Sequence, residues 1–113
     1  MTTISYYLSS SGKNPVKEFI DSLNIKQIRK IARLFKAIQT YGTNAAIPHI
    51  RKLTNTPFYE LRILGEDNIR LFYIWGEYDT MIILHGNIKK SQKTSTRDLH
   101  AVFRAYYDLR NKP

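Results

Sequence analysis

The chain has 113 residues, 18 Lys and Arg against 9 Asp and Glu for a formal net charge of +9, and no cysteine. That length suits one domain, residues 1–113, with a modest core that needs no covalent staples, and the missing cysteines exclude disulfides and thiolate metal sites. The positive excess suits a polyanionic partner, whether RNA, DNA or an acidic protein.

Met1 to Leu8 is too short for a secretory signal and is broken by Thr2, Thr3 and Ser5, and no run reaches the length of a membrane span. A soluble cytoplasmic protein with no membrane partner is expected.

Ile4-Ser5-Tyr6-Tyr7-Leu8 is β-branched and aromatic and predicts a strand ending at the Ser9-Ser10-Ser11-Gly12 loop. Asn14-Pro15 then places an N-cap before a proline at the first helical position, with Val16, Phe19, Ile20 and Leu23 as an apolar stripe. From Ile25 to about Tyr41, Ile28, Ile31, Ala32, Leu34, Phe35 and Ile38 recur with helical period among basic residues, and Gly42 closes the helix. The two helices form a hairpin whose apolar side must cover a sheet.

After a loop around Pro48, three strands are expected: roughly Phe58 to Leu64, Ile69 to Trp75 and Thr80 to Ile88. Their short turns, Gly65 to Asn68 and Gly76 to Asp79, make an antiparallel meander. Ser95 and Asp98 are spaced as a capping box for a last helix with Leu99, Val102, Phe103 and Tyr106 on one face. The pattern is α+β: an N-terminal strand, a two-helix hairpin, a three-stranded antiparallel meander completing the sheet, and a C-terminal helix. Nothing in the chain repeats, and no low-complexity stretch or linker divides it.

Side chains alternate faces along a strand, so hairpin register decides which charged groups meet. With Trp75 opposite Thr80, Arg70 falls opposite His85. Arg62 joins that face, opposite Arg70, if the preceding hairpin closes with an odd number of loop residues. Two guanidiniums converging on an exposed face are favourable mainly when an anion arrives, since arginine offers a planar fork matched to phosphate oxygens. The plainer possibility is that Arg62 pairs with Glu60 or another acid and Arg70 is an ordinary solvated residue.

Lys89, Lys90, Lys93 and Arg97 follow the last strand with no acid before Asp98, a basic loop suited to a nucleic-acid backbone or simply a solvated charge run. His85 could act as general base, general acid or hydrogen-bond donor, the roles an imidazole can fill; equally it could be structural. His49 and His100 lack comparable company. Tyr59, Tyr73, Tyr78 and Trp75 could stack on unpaired bases, although most aromatics on such strands belong to the core or the sheet surface. Acids in the predicted turns do not complete a metal site, and neither a phosphate-binding glycine loop nor a nucleophile motif occurs.

From the Pro15 helix through the C-terminal helix the chain resembles the phage-derived HigB-like toxins of the RelE/ParE toxin superfamily. The likeness is densest in Tyr59-Glu60-Leu61-Arg62, Arg70-Leu71-Phe72-Tyr73 and Leu84-His85-Gly86-Asn87-Ile88-Lys89-Lys90-Ser91-Gln92-Lys93-Thr94. The resemblance implies a RelE-like fold and a toxin of a type II toxin-antitoxin system that cuts mRNA, commonly on the ribosome. Arg70 matches an arginine that contacts the scissile phosphate, and Arg62 a basic position on the preceding strand. Lys89 and Lys90 lie where further basic residues occur. Asn87 stands where a bulky apolar residue is frequent and Ser95 where proline is frequent.

The chemistry that fits is attack by the substrate's own 2′-hydroxyl, with Arg62, Arg70 and a lysine stabilising the charge and no metal or other cofactor required. On this expectation Arg62, Arg70, His85 and Lys89 are catalytic, His85 or Lys89 moves the proton, and Lys90, Lys93, Arg97 and Tyr73 bind RNA. An antitoxin with a helix-turn-helix domain is the implied partner beside mRNA and the ribosome. A non-catalytic nucleic-acid-binding module, or an inactive toxin fold that only binds an antitoxin, would use the same basic surface.

Overall fold

The computed structural model describes residues 1–47, 49–63, 65, 68–88 and 94–111. In chain order it has β1 (Thr3–Tyr6), α1 (Pro15–Asp21), α2 (Ile25–Tyr41), a 3-10 turn (Thr43–Ala46), β2 (Ile50–Lys52), β3 (Tyr59–Ile63), β4 (Ile69–Trp75), β5 (Thr80–Ile88) and α3 (Thr96–Arg110).

The helix signals act as expected. The Asn14 side chain accepts from the Lys17 N–H ahead of Pro15, and α2 starts on a reciprocal capping box of Asn24 and Gln27 that was not among the expected signals. Gly42 ends α2 with φ 80°, a left-handed conformation that glycine adopts without strain.

The strands form one five-stranded sheet in the order β1-β5-β4-β3-β2, with β1 parallel to β5 and the other pairs antiparallel. The expected antiparallel meander is present as β3-β4-β5, and two features around it differ from the expectation. The first strand stops at Tyr6, and Leu8 is exposed beyond it. The stretch expected as loop supplies an edge strand, β2, paired through Ile50↔Leu61, Arg51↔Glu60 and Lys52↔Tyr59. Three residues with one apolar side chain carry no readable alternation; pairing with β3 makes β2 a strand.

Helices cover both faces. On one side, Val16, Ile20, Leu23, Ile31 and Ile38 pack on Leu61, Leu71, Tyr73, Met81 and Ile83. On the other, Val102 and Ala105 of α3 pack on Phe58, Phe72, Ile74 and Leu84. Among the described residues no helix is long and apolar enough to cross a membrane.

The β4–β5 register decides the site. The predicted Trp75↔Thr80 pairing is replaced by Trp75↔Met81, because the turn closes through the Gly76 N–H to Thr80 carbonyl bond at 2.8 Å. Tyr78 and Asp79 in that turn have φ 56° and 55°. A β-bulge between Phe72 and Tyr73 then adds a second one-residue shift, so Phe72 faces His85 and Arg70 faces Asn87. Each shift alone would swap the faces; two together restore them. Arg70 and His85 therefore share a face as expected but are diagonal neighbours, not directly opposed.

The same bulge turns Gly86 toward the α1 side. A β-carbon there would lie 2.6 Å from a Phe19 ring carbon and 2.9 Å from a Leu71 methyl, so the position has room only for glycine.

Candidate functional site

Register lays two rows of side chains across the α3 face of the sheet. One runs Arg51, Glu60, Phe72, His85; the other runs Arg62, Arg70, Asn87. Arg62 and Arg70 are directly opposed, since five residues separate the paired Ile63 and Ile69, an odd number as required.

Glu60 is the hub of this face. It is fully buried, with Arg62 Nε 3.2 Å from Oε1 and Arg51 Nη2 and Arg70 Nη1 at 3.4 and 3.7 Å from Oε2. Arg62 thus does pair with Glu60, whereas Arg70 is not a solvated residue, because its side chain is only 6% exposed. The expectation that both guanidiniums converge on an exposed face fails at Arg70 for the same reason. One carboxylate holds three guanidiniums in place and offsets one of their charges. The half-exposed Arg51 and Arg62 leave the rim of the face cationic.

His85 has a partner that its strand did not reveal. Its Nε2 lies 3.0 Å from Asp98 Oδ1 in the first turn of α3, and its ring stacks on Phe72. Asp98 Oδ2 accepts from the Ser95 hydroxyl at 2.6 Å, while the Asp98 N–H donates to Ser95 Oγ. Half of the predicted capping box therefore forms, and the carboxylate is directed to His85 instead of the N-cap backbone.

Burial pushes the Asp98 carboxyl up, but the hydrogen bond from Ser95, the Asn87 amide dipole and the interaction with His85 outweigh it and hold the group well below the usual carboxylate range. The Asn87 Nδ2 and Oδ1 are both buried, and among the described residues neither makes a hydrogen bond of normal geometry, so Asn87 acts on Asp98 as a nearby dipole. A cleft of about 240 Å³ adjoins His85, between the start of α1 and α3, with Tyr7, Lys13, Glu18 and Arg104 among its walls.

Tyr73 does not belong to the site. It points to the α1–α2 side, is 1% exposed, and stacks with Tyr59 inside that layer, so it cannot meet RNA without unfolding the core. Trp75 contacts Tyr73 edge-on, and Tyr78 is exposed in the β4–β5 turn. Arg97 is exposed in the first turn of α3, and Lys89, Lys90 and Lys93 lie outside the described residues. His49 gives its backbone carbonyl to the Arg62 N–H.

Three participants escaped sequence reasoning. Arg51 sits on a strand without a pattern, and Asp98 looked like a cap alone. Asn87 looked like a departure from a bulky position. The capping spacing of Ser95 and Asp98 was the one signal that fixed an acid near the end of β5. Among the described residues no three of His, Cys, Asp and Glu converge as metal ligands would.

The fold and this face define a small α+β protein with an arginine-rich sheet surface and an adjoining histidine–carboxylate pair. The model of the family described as phage derived protein Gp49-like (DUF891) matches residues 18–106, which include both rows of the site, and the chain belongs to that family of toxin-like proteins. Among curated proteins none matches the chain.

Proposed function

We propose that this protein is the toxin of a type II toxin-antitoxin pair, a HigB-like member of the RelE superfamily that cleaves mRNA. The observation that carries the reading is the placement of Arg62, Arg70 and His85 on one face, with the arginines opposed and the histidine on the diagonal. Diagonal neighbours on such a face stand roughly 7–8 Å apart at the backbone, within reach of one phosphodiester for side chains of this length.

In this reading Arg62, with Arg70 behind it, binds the non-bridging oxygens of the scissile phosphate. The 2′-oxygen attacks phosphorus, the bond to the 5′-oxygen breaks, and the products are a 2′,3′-cyclic phosphate and a 5′-hydroxyl. One proton leaves the 2′-hydroxyl and one reaches the 5′-oxygen. His85, held by Asp98, serves one transfer and Lys89 is the candidate for the other. Charge stabilisation rests on guanidiniums that Glu60 fixes in place before substrate arrives, so little reorganisation is needed at the reacting phosphate. In this reading the cleft beside His85 takes a flanking nucleoside, and Lys90, Lys93 and Arg97, which follow the last strand in sequence, hold the backbone.

The substrate is translated mRNA, with the ribosome aligning the 2′-oxygen. That puts the protein in the cytoplasm, controlled by an antitoxin with a helix-turn-helix domain. The deep burial of Arg70 favours a second reading, a nucleic-acid-binding module in which the Glu60 cluster is structural.

The two readings separate on induction of wild type, Arg62→Ala and His85→Ala in a bacterial host, with new mRNA 5′ ends mapped within minutes. Cleavage inside translated messages by wild type, lost in both folded variants, supports the nuclease. Soluble wild type that produces no new ends supports the binding module. Co-expression with the product of an adjacent reading frame tests the antitoxin, which should abolish growth arrest.

A further inference from the structure

The second helix carries Lys26, Arg29, Lys30, Arg33 and Lys36 and not one acidic residue. Four of these, Lys26, Arg29, Arg33 and Lys36, are exposed and follow one another at steps of three and four, so they form a single line along the helix. At 1.5 Å per residue the line is about 15 Å long. It lies on the outer side of the α1–α2 layer, whose inner side packs on Leu61, Leu71 and Met81, and so faces away from the Glu60–Arg62–Arg70 site.

A solvated helix usually interleaves Glu with Lys, because opposite charges at this spacing support the helix and like charges oppose it. Here every neighbour along the line repels the next, and among the described residues none of the four makes an ion pair. The arrangement is relieved by a ligand that brings a row of negative charges at a similar step. At the C-terminal end of the line, Arg33, Lys36, Ala37, Thr40 and the exposed Tyr41 border a shallow depression of about 390 Å³.

We propose that this stripe is a second nucleic-acid surface, which grips the phosphate backbone of a duplex while the opposite face works on its own strand. A protein partner would need an apolar centre at the interface, and between Lys26 and Lys36 the outward line has none. A single strand would need aromatic platforms along the line, and the line has one aromatic at its end. The backbone contacts carry no sequence information, so binding is indifferent to base order. The assignment to RNA rather than DNA rests on the proposed nuclease reading; the duplex character does not.

The test is binding to a short blunt RNA duplex, followed by fluorescence anisotropy across a range of salt concentrations. Wild type is compared with Lys26→Gln/Arg29→Gln/Arg33→Gln/Lys36→Gln and with Arg51→Gln/Arg62→Gln on the other face. The fourfold variant should weaken binding at least about tenfold at low salt and lower the slope of log K against log salt by about three to four.

A slope within about one of wild type in a variant with a native circular-dichroism spectrum overturns the inference. So does tighter stripe-dependent binding to polyglutamate than to the duplex. Should the fourfold variant lose its native spectrum, Arg29→Gln/Arg33→Gln carries the same test with about half the slope change. A DNA duplex bound more tightly than the RNA duplex overturns the RNA assignment. Wild type that binds the duplex and yields no new mRNA 5′ ends on induction sinks the nuclease reading and leaves the stripe standing.

Discussion

Glu60→Gln keeps the shape of the hub and removes its charge, which tests whether the site is assembled by one carboxylate. Glu60 is fully buried and meets three guanidiniums at 3.2, 3.4 and 3.7 Å. Removing one partner of a buried ion pair costs about 3–5 kcal/mol. Two of the three arginines are substantially solvated, which screens their share, and Arg70 has a further interaction besides Glu60. The lower end, about 3 kcal/mol, is therefore expected.

For a chain of 113 residues the unfolding entropy is about 0.24 kcal/mol/K, so the expected loss is a fall in Tm of about 12 °C. Thermal denaturation followed by circular dichroism reads it directly. Added sulfate should restore more stability to the variant than to wild type, because an anion bound to the folded site replaces the missing charge by mass action. A variant within about 1 kcal/mol of wild type, or equal stabilisation of both proteins by sulfate, would refute the hub argument.

Gly86→Ala should destabilise by about 1–2 kcal/mol, overpacking against Phe19 and Leu71 exceeding the gain in chain entropy, and Phe19→Leu in the same chain should recover part of the loss in chemical denaturation. Asp98→Asn should cost about 1–2 kcal/mol at neutral pH. The folded Asp98 carboxyl is depressed, so its contribution is present above the unfolded value and lost as pH falls through the folded one. The gap between wild type and variant should therefore narrow in urea titrations below about pH 4. Of the eight tyrosines, Tyr7 is pushed up to about 12 by burial and by its bond to Asp108, and Tyr73 to about 12 by burial and Tyr59. A folded tyrosine that keeps a proton the unfolded chain gives up loses stability as pH rises from about 10, and phenolate absorbance should show these two ionising last. Tyr73→Phe should leave RNA binding within about twofold of wild type, since the ring lies on the far side of the sheet.

By itself the sequence determined what depends on near neighbours. Asn14-Pro15 and Gly42 set the start of α1 and the end of α2 through local hydrogen bonds and backbone preference, and the β-branched and aromatic run from Ile69 to Trp75 marked a strand. The Arg62–Arg70 pairing was legible only as a condition, an odd loop count, which the Ile63↔Ile69 register meets. What the sequence left undetermined depends on distant partners. The edge strand β2 exists by pairing with β3, and the burial of Arg70 follows from Glu60 on the adjacent strand. A turn and a bulge each move the register by one residue, so His85 keeps its expected face but stands diagonal to Arg70 and beside Phe72. Those shifts are small differences in pairing and packing energy summed over the whole sheet, so tertiary structure alone decided which residues the histidine stands beside, Asp98 of α3 among them.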